Sequence, residues 1–103
     1  MFDDEEDENG DNYLKEDLEV FESYLKGNNT VFIDSDRLES IVDHYLINGN
    51  FSKALLAAEM AITHFSYNGL FSLRKAQALT GLGKLHDAID VLNDIQTYGV
   101  PSF

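Results

Sequence analysis

The sequence predicts an all-α protein, a right-handed α-α superhelix of about five helices in antiparallel hairpins. Three observations lead there. A shift of 34 residues lays the stretch Leu38 to Gln96 on itself: Gly49 falls on Gly83, Ala54 on Ala88, Phe51 on Leu85, Leu55 on Ile89, Tyr45 on Leu79 and Val42 on Ala76. Apolar residues recur at three- and four-residue spacing through most of the chain. No alternating strand pattern competes anywhere. A period of this length is the mark of stacked supersecondary units, and it sets the architecture before any local reading.

The elements follow in order. Asp3 to Glu8 are six consecutive carboxylates. Residues 1–11 therefore read as an acidic, disordered tail, because like charges repel and nothing apolar is available to bury. Residues 12–34 read as an N-terminal capping helix and linker. Its helix spans about Asn12 to Lys26, with Leu14, Leu18, Phe21 and Leu25 as one stripe. Asp11 is its N-cap, and Gly27 supplies a left-handed C′ residue. Asn28-Asn29-Thr30 is a turn, and Val31-Phe32-Ile33 a short apolar link.

Residues 35–66 form the first unit. Its first helix starts near Asp36, with Glu39 three residues on as an acidic variant of the capping box. Leu38, Ile41, Val42 and Tyr45 point inward, and Asn48-Gly49-Asn50 turns the chain. The next helix covers about Phe51 to Phe65, with Ala54, Leu55, Ala58, Ala61, Ile62 and Phe65 inward. Its alanines let neighbouring backbones come close. Tyr67-Asn68-Gly69 breaks the chain. Residues 67–103 form the second unit: a helix over Leu70 to Leu82 with Leu73, Ala76 and Leu79 inward, then the Gly83 turn. A last helix follows over Leu85 to Thr97, with Ala88, Ile89, Leu92 and Ile95 inward, and Tyr98-Gly99-Val100-Pro101 ends it. Short loops make successive helices antiparallel.

Composition narrows the function classes. The 103 residues carry a formal net charge of −12. Residues 1–33 hold 11 acidic and 2 basic side chains, and residues 34–103 hold 8 and 5. Seven dispersed Lys and Arg are a poor surface for nucleic acid or an anionic membrane. With no cysteine there is no disulfide framework, zinc-thiolate site or thiol nucleophile. The acidic start is unlike a signal peptide, and no apolar run reaches membrane-spanning length. The expectation is a cytoplasmic protein.

Candidate chemistry is sparse. Glu5, Asp7, Asn9, Gly10 and Glu16 fall near the spacing of an EF-hand loop, which gives one alternative function, weak Ca²⁺ binding through the acidic N-terminal segment. His44, His64 and His86 have no partner at metal-ligand spacing in a strong motif. His86 and Asp90 are an i, i+4 surface pair. No phosphate loop or nucleophile elbow is present. No enzyme activity, cofactor or metal is expected.

At these residues the chain resembles the tetratricopeptide repeat (TPR) family, whose 34-residue signature runs W-x2-L-G-x2-Y, then A-x3-F, then A and P. The matching positions are Leu38, Ile41, Val42, Tyr45, Ala54, Ala58, Ala61 and Ser66, followed by Ser72, Lys75, Ala76, Leu79, Ala88, Leu92, Ile95 and Val100. Gly49 and Gly83 sit where that family turns. The chain departs from the signature in lacking Trp, in Val42 for Gly, in Ala58 for Phe and in Pro101, one residue late. The resemblance covers residues 36–97. The acidic start also resembles the N-termini of longer bacterial TPR proteins.

The resemblance implies a non-catalytic protein–protein interaction scaffold that holds a partner protein or peptide in a concave groove. The groove would be lined by Asp36, Glu39, Asp43, Leu46 and Ile47 on one helix and by Leu70, Leu73, Gln77 and Thr80 on another. Such a groove suits a basic or amphipathic segment. Glu39 and Asp43 would repel the acidic chaperone tail that some TPR domains clasp with Lys and Asn. Two units are fewer than a solenoid usually needs. The alternative expectation is thus a purely structural N-terminal cap of a longer solenoid, with Ile89 and Leu92 meeting another repeat, or self-association through the uncapped C-terminal helix.

Overall fold

In the computed structural model the chain forms five α-helices: α1 Phe2–Leu25, α2 Ser35–Ile47, α3 Phe51–His64, α4 Gly69–Gly81 and α5 Leu85–Tyr98. The structure describes residues 2–27, 33–66 and 68–98, with the backbone alone for residues 2–12 and 96–98. The expected turn at residues 28–30, the link residues Val31 and Phe32, Tyr67, and the final turn from Gly99 onward lie outside the described residues. No strand occurs among the described residues. The all-α expectation holds.

Each helix packs on the next, and α2 also touches α4. That pattern is a row of hairpins in which alternate helices meet side by side. The chain reversals after α1, α2 and α4 each carry a left-handed glycine. Gly27, Gly49 and Gly83 have φ of 108°, 76° and 82°, a region other residues rarely enter. The 34-residue offset between Gly49 and Gly83 is therefore an offset between equivalent bends.

Polar caps fix the helix starts. The Asp34 side chain accepts from the Arg37 amide, so the cap of α2 lies two residues before the expected Asp36. Asn50 accepts from the Lys53 amide and Asn68 from the Leu70 amide. Each side chain satisfies a first-turn N–H that the helix itself leaves without a partner.

α1 begins ten residues before the expected Asn12. The acidic run is helical backbone from Phe2, not a disordered tail. Negative charge is favourable in the first turns of a helix, and a helix already nucleated on a packed segment extends at little cost. The same backbone bears on the calcium alternative. An EF-hand site is a twelve-residue loop between helices, and residues 5–16 are continuous helix.

The main core contains Phe21, Ile33, Leu38, Ile41, Val42, Tyr45, Ala54, Ala57, Ala58, Met60, Ala61, Phe71 and Ala78. A second cluster, Ala76, Leu79 and Ala88, takes Leu55 and Val91 at its edge. The stripe expected for α2 is fully buried. On α3 the expected Ala54, Ala58 and Ala61 are buried, as are Ala57 and Met60, and Leu55, Ile62 and the C-cap residue Phe65 are half-buried. On α4 and α5 the expected Ala76, Leu79 and Ala88 are buried, and the other expected positions differ. Leu73 on α4 is 40 % exposed, and Phe71 takes the core position instead. On α5, Ile89 is 52 % and Leu92 39 % exposed, while the smaller Ala88 and Val91 make the contact. α4 and α5 approach through alanines, so the bulkier neighbours stay outside.

Candidate interaction surface on α2 and α4

Asp43 and Arg74 are the centre of the surface. Arg74 Nε lies 2.8 Å from Asp43 Oδ1, joining α4 to α2 across the row. The contact is an ion pair rather than an aligned hydrogen bond. Arg74 Nη1 also donates to Gln77 Oε1 at 3.3 Å. Around this pair lie the sequence-nominated residues of α2. Asp36 is exposed and Glu39 half-buried, Leu46 packs against the main core, and Ile47 is 82 % exposed. On α4, Leu70 is half-buried, and Leu73, Gln77 and Thr80 are exposed. The Thr80 hydroxyl donates to the Ala76 carbonyl at 2.8 Å, which turns it back onto its own helix.

The structure thus joins Asp43 to Gln77 through Arg74, which lies outside the residues the resemblance implies for the groove. Asp43 is not an open carboxylate awaiting a cation, because Arg74 already meets it. The acidity left for a ligand resides in Asp36 and Glu39. Beside Asp36 a cleft of about 350 Å³ runs between α1 and α2, lined by Tyr13, Leu14, Asp17, Asp36, Arg37 and Ser40.

Asp17 is the buried charge of the chain's described part, 9 % exposed, with Arg37 Nη1 at 3.8 Å. Burial raises its pKa; Arg37 pulls it down by less, and Asp34 and Glu16 push it up. A folded-state pKa above the unfolded value means that the folded state holds its proton more tightly. Stability from this group is then present below the unfolded value and falls as pH rises through the folded one. Replacing Asp17 with asparagine is expected to raise Tm at pH 7, because it removes a charge whose folded-state pKa lies above its unfolded value. The gain should vanish near pH 3, where the wild-type carboxyl is protonated. Thermal melts of both proteins across that range check it.

Three helices are tied at a second polar point. Glu22 Oε2 accepts from Tyr45 Oη at 2.7 Å and from Lys53 Nζ at 2.6 Å. The Lys53 hydrogen bond, then the Tyr45 one, hold the Glu22 carboxyl below its usual range. Burial, with Glu22 beside it, pushes the Tyr45 phenol well above its own. Lys53 Nζ also sits 5.9 Å from the Tyr45 ring centroid. These groups are committed to joining α1, α2 and α3. His44 Nδ1 contacts Asn48 Nδ2 at 3.3 Å, a local contact at the end of α2. Among the described residues no group of three or more His, Cys, Asp or Glu could hold a metal ion, and no helix is long and apolar enough to cross a membrane.

No family model, curated protein or solved structure matches the chain.

Proposed function

We propose that the chain is a non-catalytic protein–protein interaction module of the TPR type, acting in the cytoplasm, and that its partner is held on the joined face of α2 and α4. The observation that carries this reading is the side-by-side contact of α2 and α4, cross-tied by Asp43 and Arg74. Alternate helices held in this way present one continuous face, fixed before any ligand arrives, so the protein's side contributes little ordering cost. Its apolar residues Ile47 and Leu73 are exposed, as are Asp36 and Gln77, while Glu39 is half-buried. A basic or amphipathic segment of a protein matches that mixture.

The test leaves the Asp43–Arg74 tie intact. A variant carrying Asp36→Lys and Glu39→Lys reverses the charge of the open carboxylates only. With the full chain immobilised, a partner retained by the wild type should be lost by the variant, with helical circular dichroism unchanged in both. Equal retention by the two proteins would remove this face from the binding site. It would favour the alternative, a purely structural role in a longer stack.

A further inference from the structure

The cleft between α1 and α2 holds a carboxylate whose hydrogen-bonding needs the fold leaves unmet. Its walls are one turn of each helix: Tyr13, Leu14 and Asp17 from α1, and Asp36, Arg37 and Ser40 from α2. Both triplets run i, i+1, i+4, so each lies on one helical face. Asp17 is buried, yet among the described residues it accepts no hydrogen bond. Arg37 Nη1 stands 3.8 Å away, beyond hydrogen-bond length, on an exposed side chain. A buried carboxylate is ordinarily paired and hydrogen-bonded, because the water it gives up must be replaced. Glu22 meets that need, with hydrogen bonds of 2.7 and 2.6 Å from Tyr45 and Lys53. Asp17 has no such donors, and it lines the cleft.

Charge sets the sign of the ligand. Two lining carboxylates stand against one guanidinium, and Glu16 and Asp34 add negative potential at Asp17. The start of α2 is not an open anion site, since Asp34 already accepts from the Arg37 amide. A metal ion is a poor occupant, because among the described residues no group of three or more His, Cys, Asp or Glu could hold one. The rest of the lining suits a hydrocarbon stem. Tyr13, 62 % exposed, offers an aromatic face, and Leu14 an aliphatic one. The volume of about 350 Å³ falls in the range of small-ligand sites.

We propose that this cleft binds a primary ammonium group on an apolar stem, with the ammonium against Asp17 and Asp36 and the stem against Tyr13 and Leu14. A lysine side chain of a partner protein and a free alkylamine share that chemistry. The ammonium supplies the donors that Asp17 lacks. Arg37, exposed and held only by the 3.8 Å contact, turns out to solvent as the ligand enters. The site does not rest on the α2–α4 reading: α1 forms one of its walls, and Asp17, the residue tested, lies outside that face.

The probes are n-pentylammonium and the peptide acetyl-Gly-Lys-Gly-amide, with n-pentanol as the uncharged control. They are titrated into the full ¹⁵N-labelled chain at neutral pH in about 0.15 M salt, which screens non-specific attraction to the acidic surface. Both amines are expected to shift the amides of Leu14, Asp17, Arg37 and Ser40. Tighter binding of the peptide assigns the cleft to a lysine side chain, and tighter binding of the free amine to a small molecule. Asp17→Asn should weaken both about tenfold or more, a loss of about 1.4 kcal/mol. Its Tm is expected to rise, so that loss cannot come from unfolding. Arg37→Gln removes the competing cation and should tighten both. Equal shifts by n-pentanol overturn the proposal, as do shifts confined to residues outside the cleft. So does binding by Asp17→Asn as tight as by the wild type, or weaker binding by Arg37→Gln with its circular dichroism unchanged.

Discussion

Phe71→Ala is expected to destabilise the protein by about 3–5 kcal/mol, while Leu73→Ala costs less than about 1 kcal/mol. The two residues lie on the same helix, two positions apart. Phe71 is fully buried, with its ring centroid 6.5 Å from that of Phe65 on α3. Removing it deletes an aromatic side chain from a site walled by two other helices, and a rigid site cannot collapse to fill the space. Leu73 is 40 % exposed, so truncation mostly removes surface already in water. Urea unfolding monitored by circular dichroism gives both values. The loss is large against the stability typical of a small domain, so Phe71→Ala should be partly unfolded near 37 °C. Comparable losses at both positions would mean that α4 is rotated from the orientation described.

That pair also marks where the sequence was legible and where it was not. The α2 stripe, Leu38, Ile41, Val42 and Tyr45, is legible because its buried residues recur at strict three- and four-residue spacing. α4 contacts α2, α3 and α5. Its buried residues, Phe71, Ala76, Ala78 and Leu79, therefore spread over a wide arc, and periodicity no longer separates inside from outside. Alanine adds to the ambiguity, since it is at home in either setting. On α5 size misled at two positions: Ile89 and Leu92 look like core, yet Val91 joins the expected Ala88 at the α4 contact.

The ties between units were hidden for another reason. Asp43–Arg74 and Glu22–Lys53 depend on how one unit is offset along the next, which no single helix reveals. A signal did exist. Subtracting one repeat puts Arg74 on Ser40 and Lys53 on Glu19, each one turn before the carboxylate that it meets. The glycine bends were legible because Gly49 and Gly83 need positive φ, a requirement of residue type alone.

Gly81→Ala is expected to destabilise the wild-type protein by about 1–3 kcal/mol, and to stabilise a Phe51→Ala background by about 0.5–1 kcal/mol. Gly81 is the last residue of α4, and the Phe51 ring occupies the space its Cβ would need. A Cβ there would overlap Cδ1, Cγ and Cε1 along one side of that ring. The base of a ring is held by the backbone that carries it, and Phe51 is the first residue of α3, next to the Asn50 cap. Relief by a rotamer change would move the ring off α4 or strain the cap. With Phe51 truncated the obstruction is gone. The ordinary preference for alanine over glycine in a helix then decides the sign. A double-mutant cycle by urea unfolding reads the coupling directly. A reversal of sign between the two backgrounds would establish that glycine is required at this position by the approach of one hairpin to the next, and not by the bend at Gly83. Alanine having the same effect in both would mean that Phe51 moves freely and that the contact between the hairpins is looser than described.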